Sequence, residues 1–248
     1  MQFEFWALQM LIATWNLNNR VGMVRFRPDA ANAAIALGAD VLVLTEFYPQ
    51  EHEASFADAL HRAGWAHQAI SKVTGAKANR VLIASRHPLE PLDIRLPDFD
   101  LQFPSNVLGV CIPAAGVSIV GVRIPWYVKQ EAGLVFNAWD WLEGIAAFFL
   151  NQPSVILGDL NVGLKSRRSR GGEHFRRILS LGWRRATPVG TASYFGAGER
   201  RSEVDHILGN GLCHIQNARY VTDLDGHILA GRSDAISDHA ALMAEITF

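Results

Sequence analysis

Short apolar segments recur along the whole chain, and several of them end in a polar or acidic side chain. In VILGDLNVG (155–163), an apolar run leads into Asp159 and Asn161 before any turn has brought the chain to the surface. Runs of this length and composition are typical of buried β-strands. The predicted strands cover residues 11–15, 41–45, 80–85, 107–113, 117–124, 154–158, 204–208 and 241–248.

Helix-like segments lie between these runs, with Pro28 at an expected first turn and Gly38 at an expected stop. The predicted helices cover residues 28–38, 55–64, 128–150 and 172–182. We therefore expect sheets that are buried on both faces and covered by helices, with successive hairpins over 80–124. No Gly-rich phosphate loop follows the first strand, and no long linker divides the chain. We predict a single domain over 1–248, with 1–9 as a candidate extension outside its core.

Composition excludes several classes of protein. Only two cysteines occur, Cys111 and Cys213, without the spacing of a zinc site or a disulfide framework. The N-terminal segment contains Glu4 and lacks a basic start and a cleavage site, so it does not predict a signal peptide. The apolar segment 133–150 is interrupted by charged residues and predicts no membrane span. We expect a cytoplasmic monomer without an obligate protein partner.

Polar side chains at the strand ends define a candidate site. If these ends meet at one edge of packed sheets, they form a pocket of three carboxylates, three amides, an imidazole and a guanidinium. Such a cluster favours a bound cation, and Mg²⁺ prefers hard oxygen ligands, with Mn²⁺ as an alternative. The residues in question are Asn16, Asn18, Glu46, Arg123, Asp159, Asn161, Asp238 and His239.

Five motifs in order resemble the signature of the endonuclease/exonuclease/phosphatase superfamily. They are WNLN (15–18), LTEF (44–47), GDLNVG (158–163), SEVDHIL (202–208) and SDHA (237–240). The resemblance implies an α/β fold, a four-layered α/β/β/α sandwich of two packed mixed β-sheets covered by helices. It also implies Mg²⁺-dependent hydrolysis of phosphate esters at one end of the sheets.

The resemblance assigns roles to three residues of the central motifs. It implies that Glu46 binds the metal, whereas an isolated Glu there would cap the following helix. Asp159 would orient or deprotonate the attacking water, and the Asn161 amide would donate to a phosphate oxygen. The alternative for Asp159 is an Asx-turn that caps its own backbone.

The C-terminal motifs supply a second group of residues. A carboxylate from Asp205 on one nitrogen of His239 would fix the tautomer and favour the imidazolium, which would stabilise the transition state. Asp238 would point away from His239 and join Glu46 near the metal. Asn16 would orient Glu46 or Asp205. We interpret the remaining histidines as ordinary surface or core residues, namely His52, His61, His67, His87, His174 and His206.

Two positions depart from the family pattern. Asn18 stands where the repair nucleases commonly have a metal-linked Asp, so the site has one negative charge fewer. Arg123 stands where family members usually have a Tyr or His that contacts the phosphate. A guanidinium could hold that phosphate firmly but cannot act as an acid. The alternative for Arg123 is a salt bridge to a nearby carboxylate.

A basic region suggests the substrate. Residues 165–201 contain ten of the 23 Lys and Arg residues, and Arg167, Arg168 and Arg170 begin just after the GDLNVG motif. With Tyr194 as a stacking residue, this predicts binding of nucleic acid, DNA rather than RNA. A solvated surface is the alternative for the charge run. Two other functions remain open: hydrolysis of a lipid or inositol phosphate head group, and a catalytically impaired binding module of the same fold.

Overall fold

A computed structural model describes residues 8–19, 21, 26–48, 52–72, 79–95, 98, 100, 103–126, 132–164, 166, 171–190, 192–231 and 233–248. The helices are α1 (Ala30–Ala36), α2 (Glu53–Arg62), α3 (Ala132–Phe148) and α4 (Gly172–Ser180). The strands are β1 (Gln9–Asn16), β2 (Val41–Phe47), β3 (His67–Ile70), β4 (Arg80–Ser85), β5 (Glu90–Pro91), β6 (Val107–Ile112), β7 (Val117–Arg123), β8 (Ser154–Asp159), β9 (Arg184–Arg185), β10 (Tyr194–Phe195), β11 (Arg201–Ser202), β12 (Asp205–Gly209), β13 (His214–Val221), β14 (Asp223–Leu224), β15 (His227–Ile228) and β16 (Ala241–Thr247).

Two mixed sheets of six strands form the centre of the protein. The first has the order β13-β16-β1-β2-β4-β3, and the second has the order β5-β6-β7-β8-β12-β9. Within the described residues, β1–β2 is the parallel pair of the first sheet and β7–β8 is that of the second. The other neighbours pair antiparallel. Two short ribbons, β10-β11 and β14-β15, lie outside these sheets.

The two sheets and the two pairs of helices form four layers, with a layer of apolar side chains between each neighbouring pair of layers. One core lies between the first sheet and α1 and α2, a second between the two sheets, and a third between the second sheet and α3 and α4. Strand β2 shows the origin of this division, because Leu42 and Leu44 face the helices while Val41 and Val43 face the other sheet. The predicted α/β/β/α sandwich of two packed mixed β-sheets is therefore confirmed.

The four predicted helices are present. Helix α1 begins after Pro28 and ends before Gly38, which has a φ of 64° that a glycine adopts without strain. Helix α3 buries Val135, Trp139 and Leu142 against the second sheet. No helix among the described residues is long and apolar enough to cross a membrane.

Sequence reasoning missed strands at the edges of the first sheet. HQAI (67–70) and HIQNARYV (214–221) contain many polar residues because an edge strand is only partly buried. The predicted succession of hairpins over 80–124 was wrong for β4, which belongs to the first sheet, whereas β5, β6 and β7 do form antiparallel pairs in the second. The first strand begins at Gln9, which pairs with Thr247, so this end of the proposed 1–9 extension is part of the sheet.

Candidate active site

Strand ends from both sheets meet at one end of the sandwich. In the second sheet, Asp159 is the register partner of Arg123 across the parallel pair and of Asp205 across the antiparallel pair. In the first sheet, parallel strands β1 and β2 end at Asn16 and next to Glu46. Because register places these residues in rows at matching ends of buried strands, their positions are fixed by the sheets rather than by flexible loops.

The Asp159 carboxylate lines the site and is almost fully buried, with a relative exposure of 1%. Its Oδ2 accepts hydrogen bonds from the amides of Asn16, at 2.9 Å, and Asn161, at 3.0 Å. Its Oδ1 accepts the backbone N–H of Asn161 at 3.0 Å, so the Asx-turn is also present. Burial raises the pKa of the Asp159 carboxyl to about 7, and Asp205 adds to the rise.

Asn16 and Asn161 both donate hydrogen bonds to Asp159. Asn16 was expected to orient Glu46 or Asp205, but its amide donates to Asp159, and its Oδ1 accepts the backbone N–H of Asn18. The Asn161 amide donates to Asp159 and to the Ile124 carbonyl, at 2.8 Å. Both of its hydrogens are thus used within the protein, and a bond to a phosphate oxygen would require one of these contacts to open.

Asp205 and His239 form a buried pair. Nδ1 of His239 lies 2.8 Å from Oδ2 of Asp205, and their relative exposures are 7% and 0%. Burial alone would lower the pKa of His239, but the charge of Asp205 and its hydrogen bond outweigh burial and raise that pKa to about 10. The ring is thereby oriented with its Nδ1–H toward Asp205, and the raised pKa keeps Nε2 protonated as well, so that Nε2 is a hydrogen-bond donor.

Three residues without a predicted role form hydrogen bonds with residues of the site. The Trp15 indole donates to the His239 carbonyl at 2.8 Å. The Ser237 hydroxyl accepts the backbone N–H of His239 and donates to the carbonyl of Asn16. Asn19 donates to Oε2 of Glu46 at 2.9 Å. Trp15 and Ser237 lie inside the quoted motifs and Asn19 directly follows one, but sequence could not show which atoms they would reach.

Glu46, on β2 of the first sheet, accepts hydrogen bonds from two side chains. Arg123 donates from Nε to Oε1 at 2.8 Å, and Asn19 donates to Oε2. Both Arg123 and Glu46 are mostly buried. The salt bridge considered for Arg123 is therefore present. Glu46 has a φ of 50°, an uncommon conformation for a residue other than glycine that is often found where a side chain is held for function.

Asp238 and Asn18 complete the acidic side of the site. The Asn18 amide donates to Oδ1 of Asp238 at 2.7 Å, and that oxygen lies 4.0 Å from Nε2 of His239. Asn18 also has a positive φ of 47°. Its side-chain carbonyl, rather than its amide nitrogen, is the atom with which it could bind a cation.

Most of the candidate site residues line one cleft of about 170 Å³. Its walls consist of Asn18, Glu46, Arg123, Trp126, Asp159, Asn161, Tyr194, Val204, Asp238 and His239. Ligand atoms of Asp159, Asp205 and His239 all lie within 4.8 Å of one another, and among the described residues Oδ1 of Asp205 is buried without a hydrogen-bond partner. The carboxylates of Glu46 and Asp238 and the side-chain oxygen of Asn18 line the same cleft, and hard oxygen donors of this kind fit a divalent cation.

The rim of the cleft carries aromatic and basic residues. Tyr194 forms an isolated β-bridge with His239, and their rings lie 5.1 Å apart. The Arg200 guanidinium lies 5.0 Å from the centre of the Trp126 ring, which is 37% exposed. Of the basic region, Arg177 and Arg185 are neutralised by ion pairs, with Glu143 and Glu203. The predicted substrate residues Arg167, Arg168 and Arg170 lie outside the described residues.

Two of the histidines set aside from the sequence have defined partners. His206 is buried, and its Nε2 lies 2.6 Å from the Val162 carbonyl. His174 lies 3.4 Å from carboxylates of Asp140 and Glu143. Neither residue lines the cleft, and His174 with Asp140 and Glu143 forms a second group of ligand atoms within 4.8 Å of one another.

Comparison with known protein families gives a match over most of the chain. The model of the Endonuclease/Exonuclease/phosphatase family matches residues 13–239. Comparison with curated protein sequences gives no match.

Solved structures share the fold at low sequence identity. The 3′ phosphatase NExo from Neisseria, bound to a product DNA hairpin, is 20% identical with a TM-score of 0.72 and covers 95% of this chain and 98% of that one. An AP endonuclease from Archaeoglobus fulgidus is 19% identical with a TM-score of 0.69, covering 95% and 98%. Beta toxin from Staphylococcus aureus is 14% identical with a TM-score of 0.65, covering 95% and 99%. The family match covers four of the five motifs in full and the fifth as far as His239, and the chain therefore belongs to the endonuclease/exonuclease/phosphatase family.

Proposed function

We propose that this chain is a divalent-metal-dependent phosphodiester hydrolase, and specifically a nuclease that acts on DNA. The observation that carries the proposal is the meeting of Asp159 with the Asp205–His239 pair in one cleft that also exposes Glu46 and Asp238. A raised carboxyl pKa, an oriented imidazole and an acidic cluster in a small polar cleft are the parts that hydrolysis of a phosphate ester requires.

Glu46, Asp238 and the carbonyl oxygen of Asn18 would hold the metal, Mg²⁺ or Mn²⁺. These are hard oxygen donors, and Mg²⁺ in enzymes is usually bound by one or two carboxylates together with substrate oxygens and water. When bound, the ion would neutralise charge on the phosphate and polarise its phosphorus–oxygen bonds. Replacement of the family's Asp by Asn18 removes one charge, which weakens the attraction for the ion.

Asp159 accepts a proton from the attacking water. Its pKa of about 7 is close to working pH, where a carboxylate is a stronger base than one with an ordinary pKa. The amides of Asn16 and Asn161 hold Oδ2 in place, so the carboxylate cannot rotate away from the water. This gives Asn161 an orienting role rather than the phosphate contact expected from the sequence.

His239 stabilises the charge that develops on phosphate. Asp205 accepts a hydrogen bond from Nδ1 and keeps the ring charged, so Nε2 is also protonated. The Nε2–H group donates a hydrogen bond to a non-bridging phosphate oxygen. Trp15 and Ser237 fix the backbone of His239, which makes this donor rigid. Preorganised donors of this type typically contribute about 10²-fold to 10³-fold in turnover.

DNA is favoured among phosphodiesters by the rim of the cleft. Trp126 presents an aromatic face beside the positive charge of Arg200, and such a combination binds a base together with its phosphate. Tyr194 offers a second ring next to His239. The basic segment 165–170 follows the Asp159 motif directly, and one solved relative is bound to a DNA hairpin. These features support a nucleic acid substrate over a lipid or inositol phosphate head group.

The test is an activity panel with Mg²⁺ or with EDTA on supercoiled plasmid, an abasic duplex, single-stranded DNA, RNA and a phospholipid. Asp159→Asn protein, purified identically, controls for contaminating nucleases. We expect Mg²⁺-dependent cleavage of one or more DNA substrates by the wild type alone. Cleavage of the phospholipid alone would replace DNA by a lipid head group, and inactivity on every substrate would indicate a binding module.

A further inference from the structure

The departure of Arg123 from the family pattern has a consequence for the metal site. Arg123 lies at the end of β7 and donates from Nε to Oε1 of Glu46 at 2.8 Å, while Asn19 donates to Oε2. Both oxygens of the carboxylate proposed to bind the metal are therefore engaged by protein donors. A cation can bind Glu46 through Oε1 only if the contact with Arg123 opens or is shared.

Sharing of the Glu46 carboxylate between Arg123 and a cation is electrostatically unfavourable. A divalent cation at Glu46 would lie beside a guanidinium, and like charges in a mostly buried site repel strongly. Lysine or histidine could relieve such repulsion by losing a proton, but arginine remains charged at any working pH. Asn19 is neutral and has no comparable effect on the cation.

A phosphate group offers Arg123 a better partner. Arginine binds phosphate through two parallel hydrogen bonds, and Arg123 lines the cleft next to its register partner Asp159. A phosphate bound between the guanidinium and the cation is negatively charged and attracts both. Binding of the phosphate would thus draw Arg123 from Glu46, free Oε1, and replace repulsion between two cations by attraction through a shared anion.

We infer that Arg123 couples metal binding to phosphate binding: it holds Glu46 until a phosphate group enters the cleft, and then binds that group while Glu46 binds the cation. This coupling rests on the proposed metal-dependent function, but it does not require that DNA is the substrate. By linkage, the cation must strengthen phosphate binding by the same factor as the phosphate strengthens cation binding.

The experiment measures Mn²⁺ binding without turnover. Free Mn²⁺ is followed by electron paramagnetic resonance in the presence of wild type or Arg123→Gln protein, each with and without inorganic phosphate. Titrations without protein correct for Mn²⁺–phosphate complexes. A short phosphorothioate DNA duplex, which resists hydrolysis, serves as a second probe of the same cleft. Circular dichroism confirms that each variant is folded.

We expect phosphate to tighten Mn²⁺ binding to the wild type by about tenfold or more, within the usual range of coupling between sites. Arg123→Gln should bind Mn²⁺ about tenfold more tightly than the wild type when phosphate is absent, and phosphate should then change its affinity by less than about threefold. Mn²⁺ affinity of the variant equal to that of the wild type, or coupling that persists in the variant, would overturn the inference.

Two further variants separate charge from other effects. Asn19→Ala removes the neutral donor to the same carboxylate and should leave the phosphate dependence of Mn²⁺ binding in place. Arg185→Gln removes a charge from another Arg–Glu pair, with Glu203, and controls for net charge. If Arg185→Gln tightens Mn²⁺ binding as much as Arg123→Gln does, the effect is not local and the inference is wrong.

The outcomes distinguish this inference from the proposed function. Failure of every protein to bind Mn²⁺, with or without phosphate, would contradict both. Phosphate coupling in the wild type that is lost in Arg123→Gln, combined with inactivity on DNA, would support the role of Arg123 and refute the choice of substrate. Activity on DNA together with Mn²⁺ binding that does not depend on phosphate would support the proposed substrate and refute the role of Arg123.

Discussion

His206 should make the stability of the protein depend on pH. The residue neighbours Asp205 on β12, and its ring is buried against Phe175, with ring centres 4.8 Å apart. Nε2 donates to the Val162 carbonyl, and Nδ1 is buried without a partner among the described residues. A second proton would have to bind at Nδ1 and create an unpaired buried cation. Burial accordingly lowers the pKa of His206 from 6.5 to about 4.

The size and sign of this pH dependence of stability follow from the difference between the pKa of His206 in the folded and unfolded states. Below its unfolded pKa, the histidine binds more protons in the unfolded chain than in the folded one, so its contribution to stability is complete above pH 6.5 and is lost as pH falls toward 4. Between about pH 7.5 and about pH 4.5 the loss amounts to about 2.5 kcal/mol, because each pKa unit corresponds to about 1.4 kcal/mol. Asp159, whose pKa is raised, acts in the opposite direction over part of this window.

A comparison of variants isolates the contribution of His206. His206→Gln can keep the donor to Val162 but does not titrate, and Asp159 contributes equally to both proteins. Urea unfolding followed by tryptophan fluorescence gives the free energy of unfolding at each pH. We expect the difference between wild type and variant to shift by about 2.5 kcal/mol in favour of the variant at the lower pH. His214→Gln, at an exposed histidine, should show no such shift. A difference for His206→Gln that is constant with pH would refute the assignment of a neutral buried ring.

Three further predictions concern the site. Asp159→Asn should leave the circular dichroism spectrum unchanged and lower turnover by about 10²-fold to 10⁴-fold, the usual effect of losing a general base; full activity would contradict its role. Asp205→Asn should lower the pKa of His239, measured by NMR titration of the ring, because the largest charge that opposes the effect of burial is removed; an unchanged pKa would show that Asp205 is not the cause. Neutralising the three arginines of segment 167–170 together should weaken DNA binding and flatten its dependence on salt. Salt dependence equal to that of the wild type would argue for a small phosphoester.

The sequence alone predicted most elements because their patterns are local. Apolar β-rich runs such as 154–158 and helix boundaries such as Pro28 and Gly38 depend on neighbouring residues, and the structure confirms them. The edge strands β3 and β13 were missed since their residues are half exposed and polar. The assignment of β4 to the first sheet also depends on pairing with β2, which is distant information that no local pattern contains.

The motifs predicted candidate site residues from residue type and order. One cleft is lined by Asn18, Glu46, Asp159, Asn161, Asp238 and His239, to which Asn16 and Asp205 are joined by hydrogen bonds with Asp159 and His239. Only the tertiary structure decided their contacts. Asn16 orients Asp159 rather than Glu46 or Asp205, Asn161 uses both amide hydrogens within the protein, and Arg123 holds Glu46. The physical reason is that hydrogen bonds and ion pairs act over about 3 Å, so they depend on how two sheets pack across more than a hundred residues of chain.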